Sequence, residues 1–171
     1  MKILDDIKKL AHPEKAKILI RFFKTGPGDY GEGDVFLGLT VPESRNIAKK
    51  YVQLDFNSVT LLLQSKIHEE RLIALLILVE KYNNDLLKRE EIFGFYLHNS
   101  RFVNNWDLVD LSADKIVGRF LYDFGRENSQ YKNLLFNLAN SENIWERRIA
   151  IISTFYFIKK NNFEETLKIA E

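Results

Sequence analysis

Three side chains, Trp106, Asp110 and Arg148, have the types and the spacing to build one chemical site. Trp106 and Asp110 stand four residues apart, so on a helix an indole and a carboxylate share one face. Arg148 closes the segment Trp145-Glu146-Arg147-Arg148, which has the form of a helix start. Stacked helix starts align along one surface, where the three residues would converge in a concave groove. A plainer arrangement uses the same residues: Trp106 packs in the core, and Asp110 pairs with Arg148 as an ion pair between helices. Spacing alone leaves both open.

Other chemistries are narrowed by residue usage. The chain has no cysteine, which excludes disulfides, thiolate catalysis and Cys-ligated zinc or iron–sulfur sites. His12, His68 and His98 lack ligand spacing, so neither a metal site nor a cofactor is expected. No G-x-S-x-G elbow is present to present a nucleophilic serine. Gly26-Pro27-Gly28-Asp29-Tyr30-Gly31 does satisfy G-x-G-x-x-G. A helical pattern from Ile18 to Phe23 precedes it, however, where a dinucleotide fold needs a strand. Asp29, Glu32 and Asp34 would repel a pyrophosphate, and they lack the spacing of a calcium loop. This stretch reads as a structural loop between helices.

The elements that must position these residues are helices. All three prolines (Pro13, Pro27, Pro42) fall in the first quarter of the 171 residues, and five of the eight glycines crowd into positions 26–38. Beyond Pro42 there are too few turn residues for hairpins, and apolar residues recur at helical spacing. Leu72–Val79 and Ile149–Ile158 are apolar on nearly every face and should lie buried between neighbouring helices. The chain also repeats itself. Ile67-His68-Glu69-Glu70-Arg71 returns as Ile144-Trp145-Glu146-Arg147-Arg148, and Asn105-Trp106-Asp107-Leu108-Val109 falls halfway between. Periods of 38 and 39 residues suit HEAT-type helical hairpins. The expected fold is all-α: one domain over residues 1–171, a superhelical stack of hairpins (an α-α solenoid), with a loop at 24–40 and repeats starting near 41, 67, 105 and 144. Thr40 with Glu43, Asn104 with Asp107, and Asn143 with Glu146 are expected as N-cap and N3 pairs. Glu43, Glu69, Asp107 and Glu146 are therefore read as helix-start residues. Asp110 lies one turn beyond that register, and the parallel units carry no acid there.

At these residues the sequence becomes recognisable. Phe36-Leu37-Gly38-Leu39 with Val41-Pro42-Glu43, then Asn105-Trp106-Asp107-Leu108-Val109-Asp110, then Trp145-Glu146-Arg147-Arg148 together resemble the DNA alkylation repair (AlkD-like) family of bacterial DNA glycosylases. The resemblance runs over nearly the whole chain and implies a superhelix of HEAT-like repeats. It implies excision of cationic N3- and N7-alkylpurines from duplex DNA, with the modified base left stacked while the concave surface grips the backbone. On that likeness Asp110 stabilises the oxocarbenium-like sugar, Trp106 adds cation–π attraction, and Arg148 grips the phosphate backbone with Arg147 or Trp145 beside it. Phe22 falls where the family can place an aromatic at the DNA surface. One departure is visible: family members continue with a further repeat carrying another tryptophan. This sequence ends at Leu167-Lys168-Ile169-Ala170-Glu171, inside a helix expected to open at Asn162 with Glu165, so either truncation at the C-terminus or the loss of one wall of the groove is expected. The family also includes members that bind DNA with little or no glycosylase activity. The alternative reading is accordingly a non-catalytic helical-repeat module for damaged or branched DNA, followed by a repeat scaffold for protein partners.

Lys and Arg number 25 against 24 Asp and Glu, a net charge of +1. DNA-binding charge must then be segregated, and a basic concave stripe is expected from Arg45 and Lys49, Arg147 and Arg148, and Lys159 with Lys160. Charged residues from Lys2 to Lys9 break any signal-peptide core, and the longest apolar run, Leu72–Val79, is too short to span a bilayer. The expected protein is a monomer that keeps to the cytoplasm and meets DNA at the nucleoid, with no membrane partner.

Overall fold

The proline-poor chain after position 42 folds almost entirely into helices. A computed structural model describes residues 1–125, 128, 130, 131 and 133–171. Among them it contains ten α-helices and no strand. These are α1 (Lys2–Lys9), α2 (Pro13–Phe22), α3 (Val41–Lys50), α4 (Phe56–Leu63), α5 (His68–Asn84), α6 (Arg89–His98), α7 (Trp106–Asp110), α8 (Leu134–Ala139), α9 (Ile144–Ile158) and α10 (Glu164–Ala170). The chain divides into two compact units, Met1–Lys81 and Tyr82–Glu171, so the last turn of α5 belongs to the second. None of the described helices is long and apolar enough to cross a membrane.

In the first unit, local chemistry sets each boundary. Thr40 and Glu43 form a complete capping box at the start of α3: the Glu43 N–H reaches the Thr40 hydroxyl, and Glu43 accepts from the Thr40 N–H at 2.7 Å. The Thr40 hydroxyl, which donates to the Glu43 carboxylate at 2.6 Å, and then the Thr40 N–H hold that carboxyl below its usual range. The acids of the glycine-rich loop fold the loop itself, since Asp29 accepts from the Gly26 N–H and Glu32 from the Gly28 N–H. Beyond it, Val35 pairs with Ile67 in an isolated parallel bridge. The buried carboxylate of Glu69 then collects the N–H groups of Leu37, Gly38 and Leu39 at 2.7–3.2 Å. Gly38 is required there twice over. Its φ is +90°, and a Cβ would collide with the His12 carbonyl at the entry to α2. Every residue from Leu72 to Val79 is at most 5% exposed, as its all-round apolar character demands.

The second unit is built around α9. From Ala113 to Gly125 the chain is helical with two π-type turns, Asp114–Gly118 and Leu121–Gly125. Gly118 lets this helix press on α9, because a Cβ there would run into the Ser153 carbonyl. Three sequence expectations need correction. α7 is capped by Asn105 and not by Asn104, with the Asn105 side chain accepting from the Trp106 N–H at 2.8 Å. The cap residue must be extended, and Asn105 has that conformation (φ −150°, ψ 157°) directly before the first helical residue. α10 begins after Phe163, without a side-chain cap, and the buried Asn162 Oδ1 has no hydrogen-bond partner. Finally, Ile149–Ile158 is not wholly enclosed: Phe155 is 44% exposed, whereas Ile149, Ala150 and Phe157 are buried.

Candidate active site

Five residues make too short a helix to stand alone, so α7 has to be held from outside. Leu108 and Val109 are fully buried, Asn105 is fully buried as the cap, and Asp107 accepts from the Leu108 N–H at 2.9 Å. With that face committed to the interior, Trp106 and Asp110 are left half-buried at the surface. α9 is anchored at its start in a comparable way. Asn143 caps it through the Trp145 N–H at 2.9 Å. Glu146 accepts from the Ser141 hydroxyl at 2.6 Å and from the Ser100 hydroxyl at 3.2 Å. Ser100 belongs to the short turn Ser100–Phe102 that leads towards α7, so Glu146 ties the start of α9 to the approach to α7.

Between these anchored starts, Arg148 meets Asp110. Nε of Arg148 donates to one carboxylate oxygen at 2.8 Å and Nη2 to the other at 2.7 Å, a two-pronged fork. The pair is not a core device: the Arg148 side chain is 37% exposed and that of Asp110 is 32% exposed. Its hydrogen bonds to the Asp110 carboxylate raise the guanidinium further above its already high value. Nη1 of Arg148 makes no hydrogen bond among the described residues. Arg71, which matches Arg148 in the internal repeat, provides a contrast. It is buried, pairs with Asp34, whose side chain is 8% exposed, and donates to the Ser65 carbonyl; its Nε is buried without a hydrogen-bond partner, so it presents no guanidinium edge at the surface. Both readings of the three residues thus meet the same geometry. The ion pair between helices is formed, while Trp106 stays outside the core and all three side chains remain at the surface of one unit.

The other candidate residues are distributed as follows. Arg147 is exposed, and its Nη1 donates to the carbonyls of Ser141 and Glu142 at 2.7 and 2.9 Å, closing the turn before α9. Lys159 is 64% exposed and pairs with Asp114 at 2.9 Å. Burial would raise the Asp114 carboxyl, but hydrogen bonds from Lys115 and Lys159 outweigh it and hold the group below its usual range. In the first unit, Phe22 ends α2 with 61% exposure and meets Phe23 edge-on at 5.3 Å. Arg45 and Lys49 on α3 are half-buried and exposed, and neither forms an ion pair among the described residues. No group of three or more His, Asp or Glu among the described residues is placed to hold a metal ion.

Sequence reasoning missed the bracing role of Glu146 and its two serines. A signal existed: glutamate is kept in the Ile-x-Glu-x-Arg pattern at both 69 and 146. In the structure both reach back to the preceding segment, Glu69 through backbone N–H groups and Glu146 through serine hydroxyls. Against known proteins, the family model described as DNA alkylation repair enzyme matches residues 3–171. No curated protein matches the chain.

Proposed function

Because the chain belongs to the DNA alkylation repair enzyme family, we propose that it is a DNA glycosylase that hydrolyses the N-glycosidic bond of cationic N3- and N7-alkylpurines in duplex DNA. A purine alkylated on its ring already carries the positive charge that makes it a good leaving group, so no general acid is needed. As the bond lengthens, positive charge moves to the sugar. A carboxylate fixed beside that sugar stabilises the developing oxocarbenium character and can orient the attacking water. Asp110 is that carboxylate in this reading. Arg148 holds it in orientation through the fork and turns its unspent Nη1 to a backbone phosphate. Trp106, one turn earlier on the same face, offers its ring to the cationic nucleotide. Phe22, Arg45, Lys49, Arg147 and Lys159 contact the duplex away from the reacting bond.

The observation that carries the reading is the Asp110–Arg148 fork, at 2.7–2.8 Å and one-third exposed, beside a half-buried tryptophan. The test is chromatography of bases released from methylated duplex DNA. Release of 3-methyladenine and 7-methylguanine, with normal purines retained, is expected. Salt-dependent duplex binding without any release would instead support a non-catalytic module for damaged DNA.

A further inference from the structure

A second cluster in the Tyr82–Glu171 unit holds more hydrogen-bond donors than it uses. Tyr82 is fully buried, yet its phenolic oxygen has no partner. Two guanidinium groups lie against its ring, that of Arg89 5.0 Å and that of Arg119 5.6 Å from the centroid. Arg89 spends Nε on the Tyr82 carbonyl, and Arg119 spends Nη1 on Asn83 Oδ1. The remaining guanidinium nitrogens make no hydrogen bond among the described residues, and Nε of Arg119 is buried. One carboxylate, Asp123, serves both arginines at 3.8 and 3.6 Å, beyond hydrogen-bond reach. Two cations therefore share one distant anion, against the ring of a buried tyrosine whose hydroxyl finds no acceptor. Buried donors are almost always paired, so an unpaired group of this kind calls for an acceptor supplied from outside.

We propose that Tyr82, Arg89 and Arg119 form a binding site for a phosphate group, separate from the Asp110–Arg148 site and independent of the glycosylase reading. The guanidinium edge matches a phosphate oxygen pair, and one phosphate can accept from both arginines at once. Access is through Arg119 and Asp123, whose side chains are 28% and 27% exposed. Burial raises the Tyr82 phenol well above its usual value, so it stays a donor. Asp123 competes with the ligand: it is the anion that an incoming phosphate displaces.

That competition provides a test with opposite signs. Inorganic phosphate is titrated into the full chain at constant ionic strength, balanced with sodium chloride, and binding is followed by calorimetry. Saturable binding is expected in the natural protein. Arg119→Gln should weaken it by about tenfold, and Tyr82→Phe should weaken it less. Asp123→Asn should tighten it, a change that a merely structural carboxylate would not produce. Melting curves test whether each variant is folded, and Tyr82→Phe carries the loss arm if Arg119→Gln is not. A phosphate response no larger than that to chloride, unchanged affinity in all three variants, or weaker binding by Asp123→Asn would overturn the proposal. Duplex DNA titrated into Arg119→Gln identifies the source. Weaker duplex binding assigns the phosphate to the DNA backbone, and unchanged duplex binding with lost phosphate binding assigns it to a free phosphate ester.

Discussion

The fork between Arg148 and Asp110 uses two nitrogens in one plane, a geometry that a lysine ammonium cannot copy. Arg148→Lys should therefore keep duplex affinity within about threefold while slowing single-turnover base release by about tenfold or more. Equal losses in affinity and rate would make Arg148 a phosphate grip only. Asp107, three residues before Asp110, faces inward and accepts from its own helix. Asp107→Asn is expected to cost about 1 kcal/mol of stability in denaturant unfolding and to leave base release intact. The same scale explains a pH effect. Asp6 accepts from Lys50 and Tyr51 at the end of α3, and the Lys50 hydrogen bond is the main reason its carboxyl lies far below the usual range. A group depressed in the folded state contributes its full stability above its unfolded pKa of about 4 and loses it as pH falls towards the folded value. Asp6→Asn should accordingly be less stable than the natural protein at pH 7, with the gap narrowing only below about pH 4; a gap independent of pH would contradict this.

At the scale of elements, close approaches rest on single glycines. Gly38 combines a φ of +90° with a Cβ position blocked by the His12 carbonyl, and Gly118 faces the Ser153 carbonyl of α9. Gly38→Ala should cost about 2 kcal/mol or more in thermal or denaturant unfolding, because strain and overlap add. A cost below about 0.5 kcal/mol, the level of an ordinary surface change, would show that the loop yields freely. Much at this scale was legible in the sequence. The crowding of prolines and glycines before position 43 marked the helical remainder, and Leu72–Val79 announced its own burial. The capping box at Thr40 was legible because both partners lie within four residues. What escaped depends on contacts distant in sequence or on backbone choices between equals. Asn104 and Asn105 are chemically identical, and the one that caps is the one placed, with extended backbone, directly before the first helical residue. Glu69 and Glu146 look like cap residues, but their partners include residues 30 to 46 positions away. The two π-type turns shift the hydrogen-bond register without leaving a compositional mark.

For the whole molecule, charge is the quantity with functional consequences. Residues 1–81 carry 13 Lys and Arg against 11 Asp and Glu, and residues 82–171 carry 12 against 13. Neither unit is basic in bulk, so affinity for DNA has to come from particular side chains. Among the described residues Arg45 and Lys49 have no ion pair to break, whereas Lys159 must leave Asp114 and Arg147 must leave the carbonyls of Ser141 and Glu142. Replacing Arg45 and Lys49 together by Gln should weaken binding to alkylated and normal duplexes alike and reduce the salt slope by about two. An unchanged slope would remove them from the interface. The candidate site itself was half-legible: Trp106, Asp110 and Arg148 stood out by type and spacing, but the fork joining the last two is a tertiary fact. The most direct measurement is single-turnover release of 7-methylguanine from duplex DNA by Asp110→Asn, with thermal unfolding recorded on the same protein. The account predicts release reduced by about a hundredfold or more in a folded protein. Release at the natural rate would contradict it.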